Sequence, residues 1–195
     1  MNSSENMWNA EYKDKKDVMN KKMIAFILEN AQKIEELRTA VNDTFRHKNE
    51  SSQAEQAWQD ATKKFHNAYD WLAFPSGLEK GLELLKKHYP STIDTAINYL
   101  YANPYFFRSG YIQQKIAHYL KSASLSTKQI IDLHETFIAH LTEDKTAHRR
   151  EYYQLARTIA NDEFRKKIEN IIDTTADEEI IKRARYLLTQ LNTKI

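Results

Sequence analysis

Cysteine is absent from the 195-residue chain, and glycine and proline occur only three times each. Without cysteine there can be no disulfide framework, no thiolate nucleophile and no cysteine-ligated zinc site. The longest apolar run covers Met23 to Leu28, whereas a membrane-spanning helix needs about 20 apolar residues. The N-terminal residues also lack the apolar core and cleavage site of a secretory signal. We therefore expect a cytoplasmic protein without a membrane partner.

The charge of the chain is close to balanced. There are 29 Lys and Arg residues against 27 Asp and Glu residues, for a formal net charge of +2. Such a balance does not predict a nucleic-acid-binding protein, although it leaves room for a local basic patch.

The few glycine and proline residues all lie between Pro75 and Gly110. On both sides the chain is rich in helix-forming residues, and apolar residues recur every three or four positions, which predicts an all-α fold. Residues 1–74 are predicted to form a long antiparallel helical hairpin, because each of its two helices has a single apolar stripe to bury. Residues 75–195 are predicted to form shorter helices, on which the hairpin packs as part of one continuous structure.

The predicted helix starts repeat along the second half of the chain. Ser91, Ser126 and Asn161 each follow the previous start by 35 residues, and each is expected to open the second helix of a helix–turn–helix unit. Pairs that fit a capping box, in which a side chain at each end satisfies free N–H groups, mark five starts: Ser52/Glu55, Ser76/Glu79, Ser91/Asp94, Ser126/Gln129 and Thr175/Glu178.

A repeat of this length is typical of stacked helix pairs. The Trp, Gly, Tyr and Pro pattern of TPR units is absent, and the chain resembles a HEAT-like α-helical repeat (α-solenoid) protein. This resemblance implies a short stack of about three and a half helix pairs. The segments "YDWLAFPSGLE" and "NPYFFRSGYIQQK" are also similar to segments of uncharacterised bacterial helical proteins, a likeness that implies no activity.

The segment "YANPYFFRSGYIQQK", from Tyr101 to Lys115, joins two predicted helices and is unusually aromatic. In one interpretation it is a rigid joint whose rings fill the gap between helix pairs. In the other, Tyr and Arg side chains form an exposed surface of the kind that dominates protein interfaces. Both can hold if Phe106 and Phe107 point inward. The predicted partner-binding residues are Tyr105, Arg108, Tyr111 and Lys115.

Basic residues cluster near the C-terminal end. Stacked repeats align equivalent positions, so these residues are candidates for contact with an anion or a nucleic acid. Alternatively, they form a solvated face paired with nearby glutamates. The candidates are Arg149, Arg150, Arg157, Lys166 and Lys167.

The sequence offers no enzyme motif. It contains no G-x-S-x-G elbow, no phosphate-binding P-loop and no dinucleotide-binding glycine pattern. The segment starting at His134 reads "HETFI", which lacks the second histidine of an H-E-x-x-H zinc site, so we expect His134 to be a core residue. No catalytic residue, metal ligand or cofactor is predicted.

Three functions remain from this reasoning, and the least supported of them is an enzyme with a carboxylate or metal site between helices. The first is a non-enzymatic protein-binding module, such as an inhibitor, an adaptor or an immunity protein that neutralises a toxin, with one protein partner. The alternative is a HEAT-like solenoid that binds nucleic acid, including a DNA-base-modifying enzyme.

Overall fold

The computed structural model describes residues 3–142 and 150–193, and for residues 3–20 it describes the backbone alone. Every regular element in those ranges is an α-helix, which confirms the predicted all-α fold. The helices are α1 (Ser3–His47), α2 (Ser52–Ala73), α3 (Leu78–Lys86), α4 (Pro90–Ala102), α5 (Ser109–Leu120), α6 (Thr127–Leu141), α7 (Arg150–Ile159), α8 (Asp162–Thr174) and α9 (Glu178–Asn192). The chain divides into two compact units, residues 1–78 and residues 79–195.

The first unit is a hairpin in which α1 packs along α2. Beside the turn that joins them, the rings of Phe45 and Trp58 meet edge to face with centroids 5.9 Å apart. Two helices that meet on both sides of a short turn run antiparallel, so the predicted hairpin is confirmed. The buried apolar positions of α1 follow its helical period and are Ile27, Ala31 and Ile34.

A tight turn ends the first unit. The N–H of Gly77 donates to the carbonyl of Phe74 at 3.0 Å, and both Ser76 and Gly77 have positive φ, at 73° and 87°. A β-carbon at position 77 would lie 2.9 Å from a carboxylate oxygen of Asp70. Glycine therefore suits the backbone conformation here, and a larger residue would also displace the carboxylate of Asp70.

The second unit is built from helix pairs. Helix α4 packs on α5, α6 on α7 and α8 on α9. Equivalent helices of neighbouring pairs also pack, since α4 contacts α6, α5 contacts α7, and α7 contacts α9. Helix α8 meets α6 through the stacked rings of Phe164 and His134. The result is two layers, α4–α6–α8 and α5–α7–α9, with α3 ahead of the first pair in the chain. The starts spaced by 35 residues open α4, α6 and α8, which are the first helices of the packed pairs and not the second.

Side-chain contacts between the pairs repeat at nearly the same sequence separation. Residues 33 to 35 positions apart in the sequence are in contact, because each helix pair packs against the next pair through equivalent surfaces. The pairs of residues in contact are Asp94 with Gln129, Lys121 with Gln154, Tyr153 with Tyr186, and Arg157 with Gln190.

The helix starts show which predicted caps were right. Ser126 and Gln129 form a complete capping box at the start of α6. At the start of α8, the side chain of Asn161 accepts the N–H of Phe164 at 2.8 Å. The other predicted boxes are wrong, because the helices begin one or two residues away and their N-cap residues differ. The observed N-caps of α2, α4 and α9 are Ser51, Tyr89 and Asp177, and α3 begins at Leu78.

The interior of the second unit is formed by both layers. Phe164 is fully buried and stacks on the ring of His134, with centroids 4.3 Å apart and planes 2° from parallel. The ring of Phe137 also packs against that of Phe164, with centroids 6.1 Å apart. The Nε2 atom of His134 donates to the carbonyl of Ile159 at 2.9 Å. His134 is therefore a hydrogen-bonded core residue, as predicted.

Candidate protein-interaction surface

The connection between α4 and α5 has a tightly specified backbone. Helix α4 ends at Ala102, and its C-cap residue Asn103 adopts a left-handed conformation with φ 43° while its N–H donates to the carbonyls of Tyr99 and Leu100. Gln113 of α5 reaches back and donates to the side-chain oxygen of Asn103 at 3.1 Å. Pro104 follows and is buried. The loop is thus tied to both helices that it joins.

The second half of this connection is anchored by Phe106. Its side chain is buried, and its N–H donates to Oγ of Ser109 at 3.2 Å. The N–H of Ser109 returns a hydrogen bond to the carbonyl of Phe106 at 2.9 Å. Between them, Arg108 has φ 67° and caps α5. These reciprocal bonds satisfy the backbone groups of the connection and restrain its conformation.

The remaining large side chains of the connection point into solvent. Tyr105 is 74% exposed, Tyr111 is 70% exposed and Phe107 is 42% exposed. The prediction that Phe106 and Phe107 both point inward is therefore right for Phe106 and wrong for Phe107. Phe106 fills the interior position, and the ring of Phe107 instead supports the guanidinium of Arg108, 5.2 Å from the ring centroid.

All four residues predicted to bind a partner lie on the exterior. Tyr111 and Lys115 are one turn apart on the exposed side of α5, and Arg108 occupies the N-cap position one turn before Tyr111, without a capping hydrogen bond from its side chain. The opposite side of α5 is buried through Ile112, Ile116, Ala117 and Leu120. We use the name joint surface for the exposed residues of this connection: Tyr105, Phe107, Arg108, Tyr111 and Lys115.

The basic residues predicted to contact an anion have different surroundings. Arg150 and Lys166 are exposed, and Arg149 lies outside the described residues. Arg157 donates from Nε to the carbonyl of Gln190 at 2.9 Å, which ties α7 to α9. Lys167 pairs with Glu135 of α6 at 2.9 Å, and this contact raises the pKa of the lysine. Arg157 and Lys167 therefore both form contacts within the protein, and they lie in different helix layers.

Two further arginines hold helix ends, a role that the sequence did not indicate. Arg165 donates to the carbonyl of Leu191 at 3.2 Å, and Arg183 donates to the carbonyl of Leu141 at 3.0 Å. The last carbonyls of a helix have no partner within it, and a basic side chain can satisfy them. The bonded residues lie 26 and 42 positions apart in sequence, and neither separation matches the repeat of 33 to 35 residues, so the repeat could not have suggested these contacts.

A second polar cluster lies inside the second unit, around His140. Nδ1 of His140 and the hydroxyl of Tyr152 are hydrogen-bonded. Burial raises the pKa of the neighbouring Tyr153 to about 12, with a smaller contribution from Tyr186, so that Tyr153 is neutral near pH 7. His140, Tyr152, Tyr153 and Arg183 line a cavity of about 20 Å³. That volume suits one water molecule and is far below the roughly 300 Å³ of a typical ligand pocket.

The described part of the chain contains no group of three or more His, Asp or Glu residues that could hold a metal ion. In the same residues, no helix is both long enough and apolar enough to cross a membrane.

Comparisons with known proteins gave no match: no protein-family model, no curated protein and no solved structure matches this chain.

Proposed function

We propose that the chain is a non-enzymatic protein-binding module, built as a HEAT-like α-solenoid, which binds one protein partner through the joint surface. The observation that carries this proposal is a group of exposed aromatic side chains on a backbone fixed by hydrogen bonds. Tyr and Arg supply large contact areas with a polar tip, and they are enriched among the residues that dominate binding energies.

The fixed backbone favours binding for an energetic reason. A flexible loop loses conformational freedom when it binds, and that loss weakens the complex. Here Asn103, Phe106 and Ser109 already hold the loop in place. Tyr105 and Tyr111 therefore have only their own side-chain rotations to lose.

The repeated helix pairs support the solenoid part of the proposal. Neighbouring pairs contact each other at a separation of 33 to 35 residues, which is the arrangement expected when similar units stack in one direction. Modules of this kind serve as inhibitors, adaptors or toxin-neutralising immunity proteins, and the identity of the captured partner distinguishes these roles. The nucleic-acid alternative has less support, since Arg157 and Lys167 are engaged within the protein.

An affinity capture from lysate of the source cells tests the proposal. The wild-type chain is compared with Tyr105→Ala/Tyr111→Ala and with a control, Phe26→Ala/Leu28→Ala, which removes two exposed apolar side chains of the first unit. We expect one protein to be retained in stoichiometric amount by the wild type and the control, with or without nuclease, and to be lost from the double tyrosine variant. A partner retained equally by all three chains would contradict the proposal.

A further inference from the structure

We propose that the joint surface recognises an acidic segment of its partner, with carboxylates placed against Arg108 and Lys115 and an apolar side chain among the exposed rings. This inference rests on the proposed protein-binding function and names the chemistry of the partner.

The first evidence is the charge of the chain around the joint surface. No Asp or Glu occurs between Asp94 and Asp132, whereas this interval contains four Lys and Arg residues. The interval includes the whole joint surface and all of α5. This interval therefore presents no negative side chain to a partner. Acidic residues of the partner would meet no like charge from it, and like charges across an interface are unfavourable.

The second evidence is how the four cations of this interval are used. Lys121 pairs with Glu151 at 2.6 Å, and Lys128 pairs with Asp132 at 2.5 Å. Arg108 and Lys115 form no ion pair with any carboxylate of the described residues, and the contact of Arg108 is with the ring of Phe107. The two cations without a carboxylate partner are the two that belong to the joint surface.

The arrangement suits carboxylates that come with an apolar anchor. An arginine guanidinium binds a carboxylate through two parallel hydrogen bonds, and the guanidinium of Arg108 lies 5.2 Å from the centroid of the Phe107 ring, within the range of a cation–π contact. Tyr105 and Tyr111 lie on the same stretch of chain and offer aromatic area to an apolar side chain.

A nucleic acid fits the same surface less well. Nucleic-acid affinity comes mainly from several phosphates neutralised by a series of cations. The joint surface supplies two cations, and the neighbouring Lys121 and Lys128 are already paired. Two unpaired cations match one or two carboxylates of a protein segment.

Selection from a displayed library of random 12-residue peptides tests this inference without knowledge of the partner. Peptides are selected on the full wild-type chain and counter-selected on Tyr105→Ala/Tyr111→Ala. We expect the enriched peptides to contain more Asp and Glu than Lys and Arg, together with at least one aromatic or large aliphatic residue. A fluorescein-labelled dT12 oligonucleotide serves as the nucleic-acid probe.

Charge variants then locate the contact. Arg108→Asn/Lys115→Glu changes the charge by −3, and asparagine tolerates the left-handed backbone at position 108. The matched control, Arg150→Asn/Lys166→Glu, changes the charge equally at exposed basic residues outside the joint surface. We expect the first variant to weaken the selected peptides about tenfold or more and the control to leave them within about twofold. Circular dichroism is used to check that both variants are folded.

Each outcome decides a separate point. Enriched peptides that are neutral or basic, or that bind Arg108→Asn/Lys115→Glu as tightly as the wild type, overturn the acidic-segment inference and leave the proposed function standing. Failure to find any peptide that depends on Tyr105 and Tyr111 also overturns the acidic-segment inference, whereas the proposed function is decided by the capture experiment. Tighter binding of dT12 than of every peptide, lost in the same charge variant, would assign the surface to nucleic acid.

Discussion

Removal of the ring of Phe164 should destabilise the second unit more than any other single change that we consider. Phe164 is fully buried on α8, stacks on His134 at 4.3 Å and lies 6.1 Å from the ring of Phe137. Truncation of a buried phenylalanine to alanine costs about 3–5 kcal/mol, through lost transfer free energy and the cavity left behind. The upper part of that range is expected here, because the stack on His134 is lost as well and such ring pairs contribute about 0.5–1.5 kcal/mol.

Denaturant unfolding followed by circular dichroism measures this cost for Phe164→Ala. A unit of this size should also lose roughly 10–20 °C of melting temperature. The control is Phe107→Ala, which makes the same chemical change at a side chain that is 42% exposed. The control should cost about 1 kcal/mol or less, mostly from the contact with Arg108. Equal losses in the two variants would refute the assignment of Phe164 to the core.

Three smaller changes test local features of the two units. Ser126→Ala removes the cap of α6 and should cost about 1 kcal/mol in a denaturant titration, whereas a neutral result would argue against the capping box with Gln129. Gly77→Ala should lower the melting temperature of the first unit by the equivalent of at least about 1 kcal/mol, owing to positive φ and the clash with Asp70; an unchanged melting temperature would contradict that turn. Contacts with Lys121 and, to a lesser extent, His118 lower the pKa of Glu151 below its ordinary value of 4.5, so Glu151 contributes stability above pH 4.5 that disappears as the pH falls through the lowered pKa. Glu151→Gln should therefore be less stable than wild type by up to about 1 kcal/mol at pH 7 and equally stable near pH 2, and a gap of constant size across this range would count against the ion pair.

The all-α fold class and the 35-residue repeat could be predicted, because both depend on local patterns in the sequence. Apolar spacing along α1 and the 35-residue interval between Ser91, Ser126 and Asn161 can be read directly from the chain. Helix boundaries were less certain, since several nearby residues can serve as caps. Pro90 illustrates the point: its fixed φ and missing N–H suit the first position of a helix. Helix α4 therefore begins there, and Ser91, which was predicted as the cap, lies inside the helix.

The candidate site could be predicted only in part. Aromatic composition indicated the exposed Tyr105 and Tyr111, but it could not distinguish the buried Phe106 from the exposed Phe107. The left-handed backbone at Arg108 could not be predicted either, because residues other than Gly, Asn, Asp and His seldom adopt it. The hydrogen bond of Arg157 could not be predicted either. Its acceptor is a backbone carbonyl, and every residue has one, so the residue type gives no indication of it.

Contacts between residues about 33 positions apart also determine how a disturbance spreads through the second unit. The principal contacts join a helix pair to itself or to the next pair, so each interface closes only a short loop of chain. Protection from hydrogen exchange should therefore fall off from pair to pair and need not be uniform. A partner bound between α4 and α5 would slow exchange most in α4 to α7, and α9 would respond least.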